Sequence, residues 1–225
     1  RTLVKDRPRM EVKELMTKYP QGGERTLIYA VTGREINSSM LPADVGCIVD
    51  NVETVTDIYQ AVVAGRPVMS RIVTVTGNAV ANPKNFSVLT GTCMQELVEA
   101  AGGLKDDTAK VVSGGPMMGF AMYDLNVPCV KTTSAFLCLE RDQVSEAKMT
   151  ACINCGRCVR VCPGHVLPAR LATLAERGDM AGFEKMDGME CCECGCCSYV
   201  CPAKRPLTQS IKSMRKMVLA SRRKK

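Results

Sequence analysis

Two runs of cysteine decide what this chain can fold around. The first is Cys152-x2-Cys155-x2-Cys158-x3-Cys162-Pro163, and the second is Cys191-x2-Cys194-x2-Cys197-x3-Cys201-Pro202. Each has the spacing that binds a cubane [4Fe–4S] cluster, with the fourth cysteine of one run serving the cluster of the other. The spacing has a geometric reason. Three cysteines separated by two residues wrap a turning backbone around one cluster, and the fourth points away from it toward the second. The proline ends the loop and withholds one N–H. The expected ligand sets are therefore crossed. Cluster one takes Cys152, Cys155, Cys158 and Cys201; cluster two takes Cys191, Cys194, Cys197 and Cys162. Zinc sites also use C-x2-C pairs, but zinc does not call for a third x2-spaced cysteine followed by C-x3-C-P, twice over.

The chain holds fourteen cysteines in 225 residues, a count open to either disulfides or metal ligation. Dense disulfides belong to small secreted domains. This chain is larger and shows no charged-then-apolar signal peptide, so metal ligation in a reducing compartment is expected. It begins at Arg1, which points to a fragment missing upstream sequence. No apolar run approaches the ~20 residues of a membrane-spanning helix. Hydrophobic residues make up 46% but aromatic residues only 4%, with no Trp, so the core must be aliphatic and Met-rich. Residues 1–147 hold 15 Lys and Arg against 17 Asp and Glu, a net of −2; residues 148–225 hold 15 against 6, a net of +9. The excess base therefore lies in the cysteine-rich third, which bears on partners.

Six cysteines lie off the motif. Cys192 and Cys196 are expected as small buried residues packed against the cluster, with a spare-ligand or redox role as the alternative. Cys47, Cys93, Cys129 and Cys138 read as core thiols. His165 is the only histidine, so no His-based catalytic constellation exists, and a surface or supporting position beside cluster two is expected for it.

Along the chain, residues 1–20 are polar, and a turn at Tyr19 to Glu24 leads into an apolar segment from Leu27 to Val31. Residues 33–47 read as loop. Val52, Val55, Tyr59 and Val62 recur at helical spacing, with Gly65 as C-cap, and mark the clearest amphipathic helix of the first half. Ile72 to Thr76 reads as a strand, Val88-Leu89 as a short strand, Met94 to Ala101 as a helix closed by glycines, and Val111-Val112 as a strand. This is the pattern of a small α+β module, with a further strand-like stretch over 127–139. Gly114-Gly115-Pro116 lacks both the Lys-Ser/Thr of a P-loop and the G-x-G-x-x-G of a dinucleotide fold and reads as a tight turn. Past Arg141 strand formers thin out, so a boundary is placed near residue 143. Pro168 to Arg177 reads as a helix. Leu207, Ile211, Met214 and Val218 form one face of a last helix, charged by Lys212, Arg215, Lys216, Arg222, Arg223, Lys224 and Lys225. That helix is either a solvated face packed on the cluster domain or a dock for anionic lipid or an acidic partner subunit. Nucleic acid is not expected, because no aromatic residues interleave with the basic ones.

With these motifs the chain resembles the C subunit of the Rnf-type electron transport complex, the ion-pumping NAD–ferredoxin oxidoreductase of bacteria. The resemblance covers essentially the whole chain. Its landmarks are Lys18-Tyr19-Pro20-Gln21-Gly22, Leu41-Pro42-Ala43-Asp44-Val45-Gly46, Asn51-Val52-Glu53-Thr54, Val73 to Gly77, Gly114 to Gly119, both cysteine runs and Cys201 to Leu207. That family is similar to the flavin-carrying subunit of respiratory complex I. The resemblance implies an α+β chain in three parts: 1–65 as the C-terminal part of an FMN- and NADH-binding domain, 66–142 as a β-grasp module of the soluble-ligand-binding type, and 143–225 as a helical two-cluster ferredoxin domain.

It also implies a role: relaying electrons between NADH-reduced flavin and partner subunits, with ferredoxin met indirectly, on the cytoplasmic face of the bacterial membrane. Gly22-Gly23-Glu24 falls where the complex I relative has Gly-Glu-Glu lining its nucleotide site, and Asn51 falls on a flavin contact. Gly23 replaces one acid there and Asp50 replaces the first Asn of the pair. Read as structure alone, Glu24 is an exposed acid at a helix start and Asn51 an N-cap. The glycine-rich loop that grips the FMN phosphate is expected upstream of residue 1, so NADH oxidation is not expected of these residues alone. Two other readings stay open: a cobalamin-reducing flavoprotein of the same architecture, and a ligand-binding module whose clusters are structural.

Overall fold

The structure, a computed structural model, describes residues 4–223; Lys224 and Lys225 of the basic tail lie outside them. The chain divides into two compact units, one up to Asn51 and one from Val52 onward. In the first unit the segment from Leu27 to Val31 is helical, within α1 (Glu24–Thr32). The turn before it is fastened to it by Thr26, whose Oγ1 donates to the carbonyls of Pro20 (2.9 Å) and Gly23 (2.8 Å). Gly33, left-handed at φ 71°, closes the helix with an N–H to Tyr29 O, as a C-terminal glycine does. A short 3-10 turn, Pro42–Val45, interrupts the expected loop.

The second unit opens with α2 (Val52–Ala64). The helix forms as expected, and Gly65 (φ 62°) follows it with the Arg66 N–H returning to Gln60 O. Its apolar face does not pack. Val52, Val55, Tyr59 and Val62 are all exposed and no residue of α2 is buried. The other face is held by charge. Glu53 and Asp57, one turn apart, bind Arg71 at 2.9 and 3.1 Å, and the Glu53 carboxylate also accepts the Ile72 N–H at 2.9 Å. That anchorage ties α2 to the second unit, which begins at Val52.

Arg71 belongs to β1 (Ser70–Thr76), which leads into β2 (Lys84–Leu89), α3 (Met94–Ala100), β3 (Lys110–Ser113), β4 (Phe120–Met122) and β5 (Ala135–Leu139). The sheet order is β2-β1-β5-β3-β4, with β1 parallel to β5 and the other pairs antiparallel. Alternation decides the faces: Val73, Val75, Phe136 and Cys138 point inward and are fully buried, against Met94, Leu97 and Val98 of α3. Only 135–139 of the strand-like stretch 127–139 is strand. Pro128, which has no N–H to give, makes a single bridge to Cys93, and the neighbouring Cys129 N–H goes to Thr92 O.

Past residue 142 the architecture turns helical, with no further compact division. Asp142 caps the short α4 (Gln143–Glu146) and its carboxylate also holds Lys110 of β3 at 2.8 Å. Then come α5 (Arg157–Arg160), α6 (Pro168–Glu176), α7 (Met180–Lys185), a 3-10 turn at Gly188–Glu190, α8 (Cys196–Tyr199) and α9 (Leu207–Arg223). Leu207, Ile211, Met214 and Val218 are each at most 2% exposed, so the expected stripe is the spine of this region. Three of them pack with Leu171 of α6 and Phe183 of α7; Leu207 joins Ala172 and Cys197.

Candidate metal centre

The two cysteine loops are one structure built twice. Counterparts lie 39 residues apart, as Cys152 and Cys191 or Cys158 and Cys197 do. Asn154 and Glu193, the second residues after each first cysteine, are both left-handed, at φ 54° and 56°. Gly156 and Gly195 follow at 71° and 84°, each starting the one-turn helix, α5 or α8, that carries the third cysteine. After each Cys-Pro pair the pattern recurs at His165 (51°) and Lys204 (52°). A positive φ is uncommon outside glycine, so its recurrence at matching places marks a duplicated fold and not only a duplicated spacing. The left-handed residue also aims backbone donors inward: the Glu193 N–H lies 3.4 Å from Cys191 Sγ.

A cavity of about 330 Å3 opens inside the first loop, lined by Cys152, Cys155 and Cys158 together with Cys201 from the second run. Arg157 and Arg170 stand at its wall, exposed. The other four cysteines are buried or half-buried. Cys162 and Cys191 pack against the Leu171–Phe183–Ile211 core, and Cys194 and Cys197 are each only 8% exposed. Burial pushes the Cys191 thiol up to about 11, opposed by the Glu193 N–H and by the Arg215 charge. Burial likewise raises Cys197; its hydrogen bond with Thr208 works against this, and nearby Cys162 and Cys158 add to the rise. Thr208 Oγ1 lies 3.4 Å from Cys197 Sγ and is itself held by Ser198 Oγ at 2.9 Å.

Among the described residues no three His, Cys, Asp or Glu side chains converge on a point that would hold a single metal ion. The first cysteine set instead stands around a space, as thiolates gripping the corners of a cubane do. The donor set is all sulfur, and Arg215 adds a buried Nε with no acceptor among the described residues. These residues fit two [4Fe–4S] clusters.

Cys192 is exposed and Cys196 half-buried, which corrects the expectation that both are buried beside the cluster. Cys192 hydrogen-bonds Cys194, and that bond, more than burial, pushes its thiol up. Of the scattered cysteines, Cys129 and Cys138 are buried and Cys47 and Cys93 half-buried. His165 is exposed. Gly114 to Gly119 is a tight turn: a Cβ on Gly119 would meet the Gly115 carbonyl at 2.6 Å. This turn has a role the spacing did not suggest. The Met117 carbonyl lies 3.1 Å from where Gly195 would carry a Cβ, so the sheet module closes over the second cysteine loop.

Arg215 is a residue beside the second cysteine loop whose place sequence reasoning missed. The signal was available, since position 215 falls four residues after Ile211 and three before Val218, on the buried stripe.

Glu24 and Asn51 both lie in the first unit, exposed, one opening α1 and the other just before α2. A flavin phosphate needs several converging N–H donors. A carboxylate and an amide do not supply them, so these two residues do not make an FMN site by themselves.

Three families match in succession. Residues 1–60 match the Nuo51 FMN-binding domain, 72–121 the SLBB domain and 151–204 the 4Fe-4S dicluster domain. The chain is 43% identical over 216 residues to the C subunit of the Na(+)-translocating ferredoxin:NAD(+) oxidoreductase complex of Acetobacterium woodii, covering 96% of this chain and 49% of that one. It is 44% identical over 169 residues to the proton-translocating counterpart of Clostridium ljungdahlii, 75% of this chain and 37% of the relative. With the C subunit of the ion-translocating oxidoreductase complex of Pseudomonas aeruginosa it shares 45% over 158 residues, 70% of this chain and 20% of the relative. The chain thus spans about half, or less, of the length of the curated relatives it matches.

Proposed function

The chain belongs to the family of C subunits of ion-translocating oxidoreductase complexes, and from that premise we propose that it is an electron-relay subunit with two crossed [4Fe–4S] clusters. Cys152, Cys155, Cys158 and Cys201 would hold cluster one; Cys191, Cys194, Cys197 and Cys162 would hold cluster two. A [4Fe–4S] cluster bound at each site would supply one-electron transfer. The chain's own part is to hold the eight thiolates, to keep water from the second site with α9 and Met117, and to supply N–H donors such as that of Glu193. In the whole protein the relay runs between NADH, through FMN, and partner subunits of the complex, with ferredoxin as the more distant partner. The protein sits peripherally on the cytoplasmic face of the membrane. In keeping with that, no helix among the described residues is long and apolar enough to cross a bilayer.

The observation that carries the reading is the cavity at which Cys201 joins Cys152, Cys155 and Cys158 across more than forty residues of sequence. Anaerobic reconstitution should give about eight iron and eight sulfide per chain, the content of two cubanes. Four of each, or zinc, would refute it. Cys201→Ser should alter the same EPR signal as Cys152→Ser; if it matches Cys194→Ser instead, the crossed assignment is wrong. Dithionite should bleach the visible absorbance. A chain whose clusters stay oxidised would favour the structural-cluster alternative.

A further inference from the structure

We propose that Arg215 and Glu193 form a positioning pair that sets the electron affinity of cluster two and makes the two clusters unequal. The inference rests on the cluster reading above. Glu193 lies between the ligands Cys191 and Cys194, its side chain 20% exposed, and pairs with the Arg215 guanidinium, itself 18% exposed. Lys212 stands 3.6 Å from the other carboxylate oxygen. Arg215 reaches down from α9 to the loop that carries Cys191 by pairing with Glu193. One guanidinium donor, Nε, is buried and unpaired among the described residues. Cluster sulfurs accept such donors, and donors of this kind raise reduction potentials.

The first loop is partnered differently. The counterpart of Glu193 is Asn154, which is uncharged and accepts from Cys152 Sγ at 3.7 Å. Cys152 and Cys155 are exposed. Arg157 and Arg170 near them are exposed to water, where their fields are screened; the less exposed Arg205, also at that cavity, is paired at 2.7 Å with Glu176 of α6, outside the loop. The duplicated loops therefore differ in burial and in charged partners. A cluster gains one negative charge when it takes an electron. A buried cation beside it favours the reduced form, and a buried carboxylate disfavours it. Arg215 offsets Glu193; without it the carboxylate faces the ligands with only Lys212 opposite. No bond is made or broken at either residue, and in the test dithionite supplies the electron.

The experiment is a potentiometric titration of the reconstituted chain with dithionite, followed by EPR, with iron and sulfide counted in every variant. At the wild-type midpoint of cluster two, Arg215→Gln should lower the reduced-to-oxidised ratio about tenfold, a shift of about 59 mV for one electron. Glu193→Gln should raise it. Arg215→Lys should stay near wild type, and the double variant Arg215→Gln/Glu193→Gln should return toward it. The signal altered by Cys152→Ser should not move. A merely structural pair would lose cluster in both single variants. If both shift the same way, if both clusters shift together, or if neither shifts with eight irons present, the proposal falls while the two-cluster reading stands. If Arg215→Gln fails to fold, Glu193→Gln alone must still raise the potential. Four irons in the wild type would overturn both readings.

Discussion

At the scale of single residues, backbone conformation carries as much of this fold as side-chain chemistry. Gly77 ends β1 at φ +119°, and a Cβ there would lie 1.9 Å from the Cys138 carbonyl oxygen on the neighbouring β5. Neither strain could be relieved by turning a side chain. Gly77→Ala should therefore cost about 3 kcal/mol or more, lowering the melting temperature by roughly 6 °C or more. Gly115→Ala is the control, with ordinary φ and nothing within 4 Å of its Cβ. Equal melting of the two variants would contradict the close-approach argument. The cysteine spacing was legible in sequence because three of the proposed ligands of each cluster are local. The partners of those loops were not. Met117 and Arg215 reach Gly195 and Glu193 from 78 and 22 residues away, and no local pattern records a contact of that span.

At the scale of elements, α9 does more than close the hydrophobic core. One helix carries the buried stripe, the Thr208 hydroxyl beside Cys197 and the Arg215 guanidinium beside Glu193. Ile211→Ala removes a fully buried side chain from its middle and should cost about 2–5 kcal/mol. Because the same helix holds the second loop, iron should also be lost faster to a chelator. Lys216→Ala, at an exposed position of the same helix, should leave both stability and iron retention near wild type. Unchanged iron loss in Ile211→Ala would mean that the loop holds its shape without the helix. The stripe was readable from its spacing, and so was the helicity of α2. The outcome for α2 was not: periodicity says which residues share a face, whereas Arg71 decides which face is bound. β4 escaped notice because three residues beside Gly119 are too short for alternation to register.

At the scale of the whole molecule, the two compact units hold different sets of the proposed site residues. All eight cysteines proposed as cluster ligands lie in the second unit, within a duplicated loop fold whose cores are buried. Glu24 and Asn51, the residues proposed as nucleotide and flavin contacts, lie in the first, exposed on separate elements. The match to the FMN-binding domain covers 1–60, while the curated relatives run to at least about twice this chain's length. The 225-residue chain should therefore accept electrons from dithionite into both clusters yet fail to oxidise NADH, even with FMN supplied. The reason is local. A flavin phosphate is held by several backbone N–H groups converging at a helix N-terminus, and one carboxylate with one amide does not replace them. Fluorescence quenching of FMN should show weak or no binding by this chain. A chain extended to the length of the Acetobacterium relative should bind FMN and reduce its clusters with NADH. The second measurement matters as much as the first, because it separates a missing flavin site from clusters that are out of electronic reach. Tight FMN binding by the 225 residues alone would mean that the flavin site is built from groups other than Glu24 and Asn51. NADH-driven bleaching of the clusters in that same chain would mean that both functions are already joined within it.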